Sequence, residues 1–131
     1  MTALLPADDA LSRRRSLTLP ALRGLLFILF QSGFAFNRMM LDACKAYGFE
    51  PDVAARSSQI DFIVELAAAG MGVGFLPRMI AQERKHPSVK CVPLLEARTD
   101  WHIAMIWRRG AYLRAWLDLV GDAHSRPQRA E

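Results

Sequence analysis

The stretch that decides the fold runs from residue 27 to residue 77 and reads FILFQSGFAFNRMMLDACKAYGFEPDVAARSSQIDFIVELAAAGMGVGFLP. It opens with four apolar residues, 27–30, which are too few for a helix and lack polar alternation, as is typical of a strand buried on both faces. A helical pattern follows, and then a short strand at 53–56, a second helical pattern at 58–69 and a third apolar strand at 72–76. This alternation predicts an α/β fold with a mostly parallel sheet and right-handed crossovers.

The first predicted helix, 33–47, is amphipathic, and Gly48 and Pro51 end it. The spacing predicts a buried arc of Phe36, Met39, Met40, Ala43, Cys44 and Tyr47, opposite an exposed arc of Asn37, Arg38, Asp42 and Lys45. In the second helix and just beyond it, the same spacing predicts that Ile60, Ile63, Val64, Ala67 and Met71 are buried.

The two strand-to-helix turns form the candidate ligand site. In a parallel sheet the strand ends and the helix starts meet at one edge, where ligands of open α/β sheets bind. Free backbone N–H groups and the helix dipole favour an anion there. The first turn contributes Ser32, Gly33 and Phe34, and the second contributes Ser57 and Gln59. We therefore predict a small-molecule site that favours carboxylates.

The first turn has a purely structural alternative. Ser32 is suited to be the N-cap of its own helix, a role that needs no ligand. Phe34 and Phe36 could wall a small organic molecule, but Phe36 continues the buried arc. Phe34 is therefore the aromatic candidate for the site.

The second turn carries a capping-box pattern, S-x-x-D, formed by Ser58 and Asp61. In that arrangement Ser58 accepts a hydrogen bond from the helix backbone and Asp61 reaches back to the cap. The pattern leaves Ser57 and Gln59 as the free polar groups of this turn.

No catalytic residue, metal site or cofactor is predicted. The glycines that begin at Gly70 follow a helix and precede a strand, which is the reverse of the dinucleotide fingerprint. Asp61 and Glu65 have no nucleophile, base or metal ligand near them in the pattern. Cys44 and Cys91 form no CxxC motif and are expected to be reduced and buried, and the three histidines share no ligand spacing.

Composition and charge limit the functional class. The 131 residues are 52% hydrophobic, which predicts a folded core, and the formal net charge is +4. The basic residues are dispersed and lack a recognition-helix pattern, so no sequence-specific DNA binding is expected. The N-terminus lacks a basic start with an apolar core, and the most apolar run, 22–30, is too short for a membrane span. We therefore expect a cytoplasmic protein without a membrane partner.

The order of these motifs resembles the effector-binding domain of LysR-type transcriptional regulators. The resemblance rests on FILF followed by Gly33-Phe34, GFEPDVAARSSQ at 48–59 and AAGMGVGFLP at 68–77. It extends to LLPADDALSRRRSLTLPALRG at 4–24 and VPLLEARTDWHIAMIWRRGAYLRAWLDLV at 92–120. No part of the chain resembles the family's winged helix-turn-helix, so we expect a truncated regulator.

The resemblance implies a periplasmic-binding-protein-like lobe of the second type, three layers thick, beside an incomplete second lobe. It assigns residues 1–26 to a remnant of the first effector lobe and the crossover, and residues 27–95 to the second effector lobe. Residues 96–124 would be the return strand and C-terminal helix of the first lobe, and 125–131 a disordered tail. The implied function is to bind a small effector, an organic acid, without a cofactor and without enzymatic activity.

The resemblance also implies a homo-oligomer, with the helix 33–47 and the strand 53–56 forming half of a side-by-side interface. In a truncated chain the rest of the first lobe would not cover the apolar strand 101–107 and the helix 112–120. These two segments are therefore expected to self-associate. Two alternatives remain open: a stand-alone solute-binding protein of the same fold, and an enzyme built on it.

Overall fold

The computed structural model describes residues 1–33 and 35–95. Their strands and helices are β1 (Thr2–Pro6), β2 (Leu26–Phe30), α1 (Ala35–Ala46), β3 (Asp52–Ser57), α2 (Ile60–Ala68), β4 (Val73–Leu76), α3 (Arg78–Glu83) and β5 (Val89–Pro93). Two short 3-10 helices, Ala10–Arg13 and Leu19–Leu22, lie between β1 and β2.

The strands form a sheet in the order β3-β2-β4-β1-β5. Strand β2 pairs in parallel with β3 and β4, whereas β1 is antiparallel to both β4 and β5. Strand β5 therefore runs in the same direction as β4, and only β1 is reversed among the described strands. The predicted α/β fold with a mostly parallel sheet is confirmed.

Strand β1 lies between β4 and β5 in the described sheet. Thr2 pairs with Leu76 of β4 and with Pro93 of β5, while the expected division of the chain into effector lobes stays a prediction. Ala3 and Leu4 are fully buried in this sheet. Residues 1–26 therefore contribute an interior strand to the same sheet as 27–95. The return strand, last helix and tail expected for 96–131 lie outside the described residues.

Strand β2 lies at the centre of the core, as its uninterrupted apolar run predicts. Residues 27–30 are all buried, and both α1 and α2 contact the strand. The ring of Phe27 packs against Phe75 of β4 with centroids 4.8 Å apart, and Phe30 packs edge-on against Phe36 of α1. The helix contacts cover the strand from both sides.

The helix faces follow the predicted pattern with three exceptions. Tyr47 is exposed because α1 ends at Ala46, and Met71 is exposed because the chain has already turned at Gly70, which has a φ of +74°. Asn37, placed on the exposed arc by its polarity, is buried. The buried residues of the two helices are otherwise Phe36, Met40, Ala43, Cys44, Ile63, Val64 and Ala67, with Met39 and Ile60 half-buried.

Candidate functional site

The two predicted turns lie next to each other at one edge of the sheet. The register of β2 and β3 pairs Phe30 with Ser57, and the backbone N–H of Gln31 donates to the carbonyl oxygen of Ser57 at 3.1 Å. The first turn is thus hydrogen-bonded to the residue that opens the second. Ser32 and Gly33 therefore reach the same edge as Ser57 and Gln59, whereas Phe34 lies outside the described residues.

Asn37 fixes the shape of the first turn. Its side chain is 5% exposed, and Nδ2 donates to the carbonyl oxygens of Phe30 at 2.5 Å and Gln31 at 2.8 Å. Because backbone carbonyls only accept hydrogen bonds, this pairing also sets the orientation of the amide. Its Oδ1 is buried and has no hydrogen-bond partner in the described part of the chain. Gly33, exposed at the tip of the turn, has a φ of +106°, which favours glycine.

The role of Asn37 was not predicted from the sequence. A helical wheel sorts residues by polarity, and Asn37 shares its arc with charged residues. The signal that could have found it is local: a short amide near a helix start readily bonds to the neighbouring backbone.

Ser57 is not the free polar group that the sequence suggested. It is 7% exposed, and its Oγ accepts from the backbone N–H of Gln59 at 3.0 Å. The same hydroxyl donates to the carbonyl oxygen of Gln59 at 3.4 Å. Ser57 therefore closes the turn on itself, while the side chains of Ser58 and Gln59 are exposed.

The predicted capping box is wrong. Gln59 occupies the N-cap position of α2 and makes no side-chain cap, so Ser58 does not cap the helix. Asp61 instead accepts a hydrogen bond from Nη1 of Arg84 at 2.7 Å. The first amides of α2 are left without a side-chain acceptor. Such amides, together with the helix dipole, are suited to an anionic ligand.

The acidic residues of α2 both contact basic side chains that follow β4. Arg84 pairs with Asp61, and Nε2 of His86 lies 3.4 Å from Glu65. Because Nδ1 of His86 accepts from the backbone N–H of Ser88, the imidazole directs Nε2 towards the carboxylate. These pairs hold the segment after α3 against α2.

Ser57 and Gln59 line neither of two grooves that open among the described residues. The larger, about 1090 Å³, runs between α1 and β3 and includes Ser32 and Gly33 at one end. The smaller, about 490 Å³, runs between α3 and β5. The described site residues Ser32, Gly33, Ser57 and Gln59 share an edge of the sheet, and only Ser32 and Gly33 line the larger of these two grooves.

The two cysteines differ in their surroundings. Cys44 is buried in the core as expected, but Cys91 on β5 is exposed, so the expectation that both are buried is wrong for Cys91. Although the residue as a whole is exposed, its thiol is partly buried 3.9 Å from the carbonyl oxygen of Ala81, and this partial desolvation raises its pKa. Residues 1–33 and 35–95 contain no cluster of three or more His, Cys, Asp or Glu that could hold a metal ion. In the same ranges no helix is long and apolar enough to span a bilayer.

Comparison with known proteins identifies the family. The family model for the LysR substrate binding domain matches residues 1–125. The chain belongs to this family. The resemblance drawn from the motifs is thereby confirmed.

The relatives of this LysR substrate-binding domain are transcriptional regulators. It is 38% identical over 96 residues to the uncharacterized HTH-type transcriptional regulator YwbI of Bacillus subtilis, a match that covers 70% of this chain and 32% of the relative. It is 40% identical over 75 residues to the transcriptional dual regulator GltC of the same organism, covering 57% of this chain and 25% of GltC. The chain thus matches about a third of the length of the first relative and a quarter of the second.

The fold is also that of a solved effector-binding domain. The BenM effector binding domain with its effector benzoate superposes with a TM-score of 0.67 over 75% of this chain and 46% of that chain. At 20% sequence identity the likeness concerns the fold alone. It confirms the expected periplasmic-binding-protein-like architecture.

Proposed function

We propose that this chain is the effector-binding part of a LysR-type transcriptional regulator and that it binds a small organic acid at the edge formed by residues 31–33 and 57–59. The observation that carries the proposal is the junction of the two turns through Gln31 and Ser57, beside a helix start without a side-chain cap. Membership of the family and the benzoate effector of BenM support the choice of a carboxylate.

Each element of the edge has a chemical role in this proposal. The uncapped amides of α2 donate to a carboxylate, and the exposed side chains of Ser32 and Gln59 provide further polar contacts. Ser57 and Asn37 act indirectly, since their hydrogen bonds shape the two turns. Phe34 remains the residue predicted to form an apolar wall of the ligand site. A ligand changes the state of the regulator only to the extent that it binds one arrangement of the domain more tightly than another.

Titration of the ¹⁵N-labelled chain with small carboxylates tests the site. Amide shifts should concentrate at residues 31–33 and 57–62, because these amides surround the proposed anion. Gln59→Ala should weaken binding, whereas Gln82→Ala, an exposed glutamine on α3, should leave it unchanged. Shifts concentrated at 79–85 instead would show that the site lies elsewhere.

The proposal includes a homo-oligomer formed through the groove between α1 and β3. Strand β3 is an outer strand of the sheet, and an unpaired outer edge is a surface on which another chain can pack. The groove combines half-buried apolar residues with charges of both signs, a composition suited to a two-fold interface that pairs a surface with itself. Its charged lining consists of Arg38, Asp42, Lys45, Glu50 and Arg56.

Light scattering after size exclusion tests this interface. Val53→Arg, in the outer strand β3, should shift the protein towards the monomer because it places a charge in the groove. Val89→Arg, at an equally half-buried position in the opposite outer strand β5, should leave the mass unchanged. Equal masses for both variants and the parent would contradict the proposed interface.

A further inference from the structure

A row of residues crosses the sheet at its carboxyl edge. Phe30 pairs with Ser57 on one side, and the β2–β4 register pairs Ile28 with Gly74. Two residues further along both strands, Phe30 is level with Leu76. Because neighbouring strands lie about 4.8 Å apart, Ser57 and Leu76 are about 10 Å apart across β2. The last residues of β3, β2 and β4 therefore end in one line.

This row brings a third turn to the proposed site. Gln59 follows Ser57 by two residues and Ser32 follows Phe30 by two, as Arg78 follows Leu76. The register therefore aligns the starts of the three turns along the edge, and Arg78 is the first residue of α3 in the third turn. The third turn follows β4, and its alignment with the first two depends on the strand register, which local sequence patterns do not reveal.

Arg78 is the cation at this level of the edge. Its side chain is exposed, and no carboxylate of the described residues forms an ion pair with it. Arg84, at the other end of the same short helix, pairs with Asp61. Arg56 also lies near the edge, but it precedes the end of β3 and lines the groove beside α1, whereas Arg78 follows the end of β4 and lines the groove between α3 and β5.

We propose that Arg78 is the residue that selects an anionic effector, by pairing its guanidinium with the effector's carboxylate. The pairing rests on the proposed function, since it concerns the same edge. A guanidinium presents parallel N–H donors that match both oxygens of a carboxylate, which the single-point ammonium of lysine does not. Arg78 thereby makes the site prefer an acid over the neutral amide of the same shape.

Calorimetric titration of the full chain tests this role with matched probes: benzoate, succinate and glutamate, each compared with its amide. Arg78→Gln should raise the dissociation constant of the carboxylate about ten-fold or more, because it removes a charge-assisted bidentate pair. Its affinity for the amide should be unchanged. Arg78→Lys should keep only part of the preference for the acid over its amide. Lys85→Gln and Arg56→Gln remove one positive charge at other positions, and both variants should keep the full preference.

The outcomes separate this role from the proposed function. If Arg78→Gln keeps the full preference for the acid, Arg78 is not the partner, while the effector site still stands. Loss of the preference in Arg56→Gln alone would assign the pairing to Arg56. If no carboxylate binds the parent chain more tightly than its amide, the organic-acid site and the role of Arg78 both fail.

Discussion

Asn37→Asp is the sharpest test of how the first turn is held, because it changes the chemistry of a buried side chain with almost no change in its shape. In the parent chain, Nδ2 of Asn37 donates to the carbonyl oxygens of Phe30 and Gln31. A carboxylate can only accept, so both hydrogen bonds become contacts between oxygen atoms. The folded state must then keep the introduced acid protonated.

The magnitude follows from that requirement. Keeping an aspartic acid protonated at pH 7, about three units above its ordinary pKa, costs about 4 kcal/mol. The protonated acid donates to only one of the two carbonyls, and the lost bond adds about 1 kcal/mol. The free energy of unfolding should therefore fall by about 5 kcal/mol at pH 7, an upper limit that relaxation of the turn would reduce.

The pH dependence distinguishes this cause from a packing defect. Burial raises the folded-state pKa of the introduced acid above its unfolded value, so protonation favours the folded variant. The loss in the free energy of unfolding, relative to the parent chain, should shrink by about 1.4 kcal/mol for each pH unit from 7 towards 4. Asn37→Ala also loses both hydrogen bonds and should be destabilised by about 2 kcal/mol, with a deficit that does not change with pH.

Urea unfolding followed by circular dichroism at pH 7, 6, 5 and 4 measures these differences. Gln82→Glu, the same change of amide to acid on an exposed part of α3, should stay within about 0.5 kcal/mol of the parent. An Asn37→Asp deficit below about 1 kcal/mol, or one independent of pH, would show that the amide donors do not hold the turn.

Four further variants or assays probe other parts of the structure. Gly72→Ala would place a Cβ 2.6 Å from the carbonyl oxygen of Leu26, so chemical denaturation should show a loss of about 1–3 kcal/mol. Asp61→Asn removes an exposed ion pair with Arg84 and should lower the free energy of unfolding by less than about 1 kcal/mol, with the effect vanishing in high salt. Alkylation of Cys91, located by mass spectrometry, should be slower at neutral pH than that of an unburied thiol, because partial burial raises the pKa of the Cys91 thiol; a rate equal to that of a free cysteine at pH 7 would contradict this. In gel-shift assays the chain should form no sequence-specific complex with DNA, and any binding should be electrostatic and disappear as salt increases; a specific complex at physiological salt would overturn the expectation.

The sequence by itself determined the elements whose signal is local. Four consecutive apolar residues predicted the doubly covered strand β2, because only a strand between two layers buries every side chain. Gly70 marked the end of α2, since a positive φ is readily adopted only by glycine. The edge that carries the candidate site also followed from the order of strands and helices.

Only the tertiary structure decided the features that depend on distant residues. Strand β1 is interior because β4 and β5 flank it, and no local pattern reveals such neighbours. Asp61 bonds to Arg84 of a later segment instead of to its own helix start, because tertiary packing brings a cation within reach. The turn that carries Arg78 starts in line with the other two turns through the register of three strands, which is set by how whole strands pair.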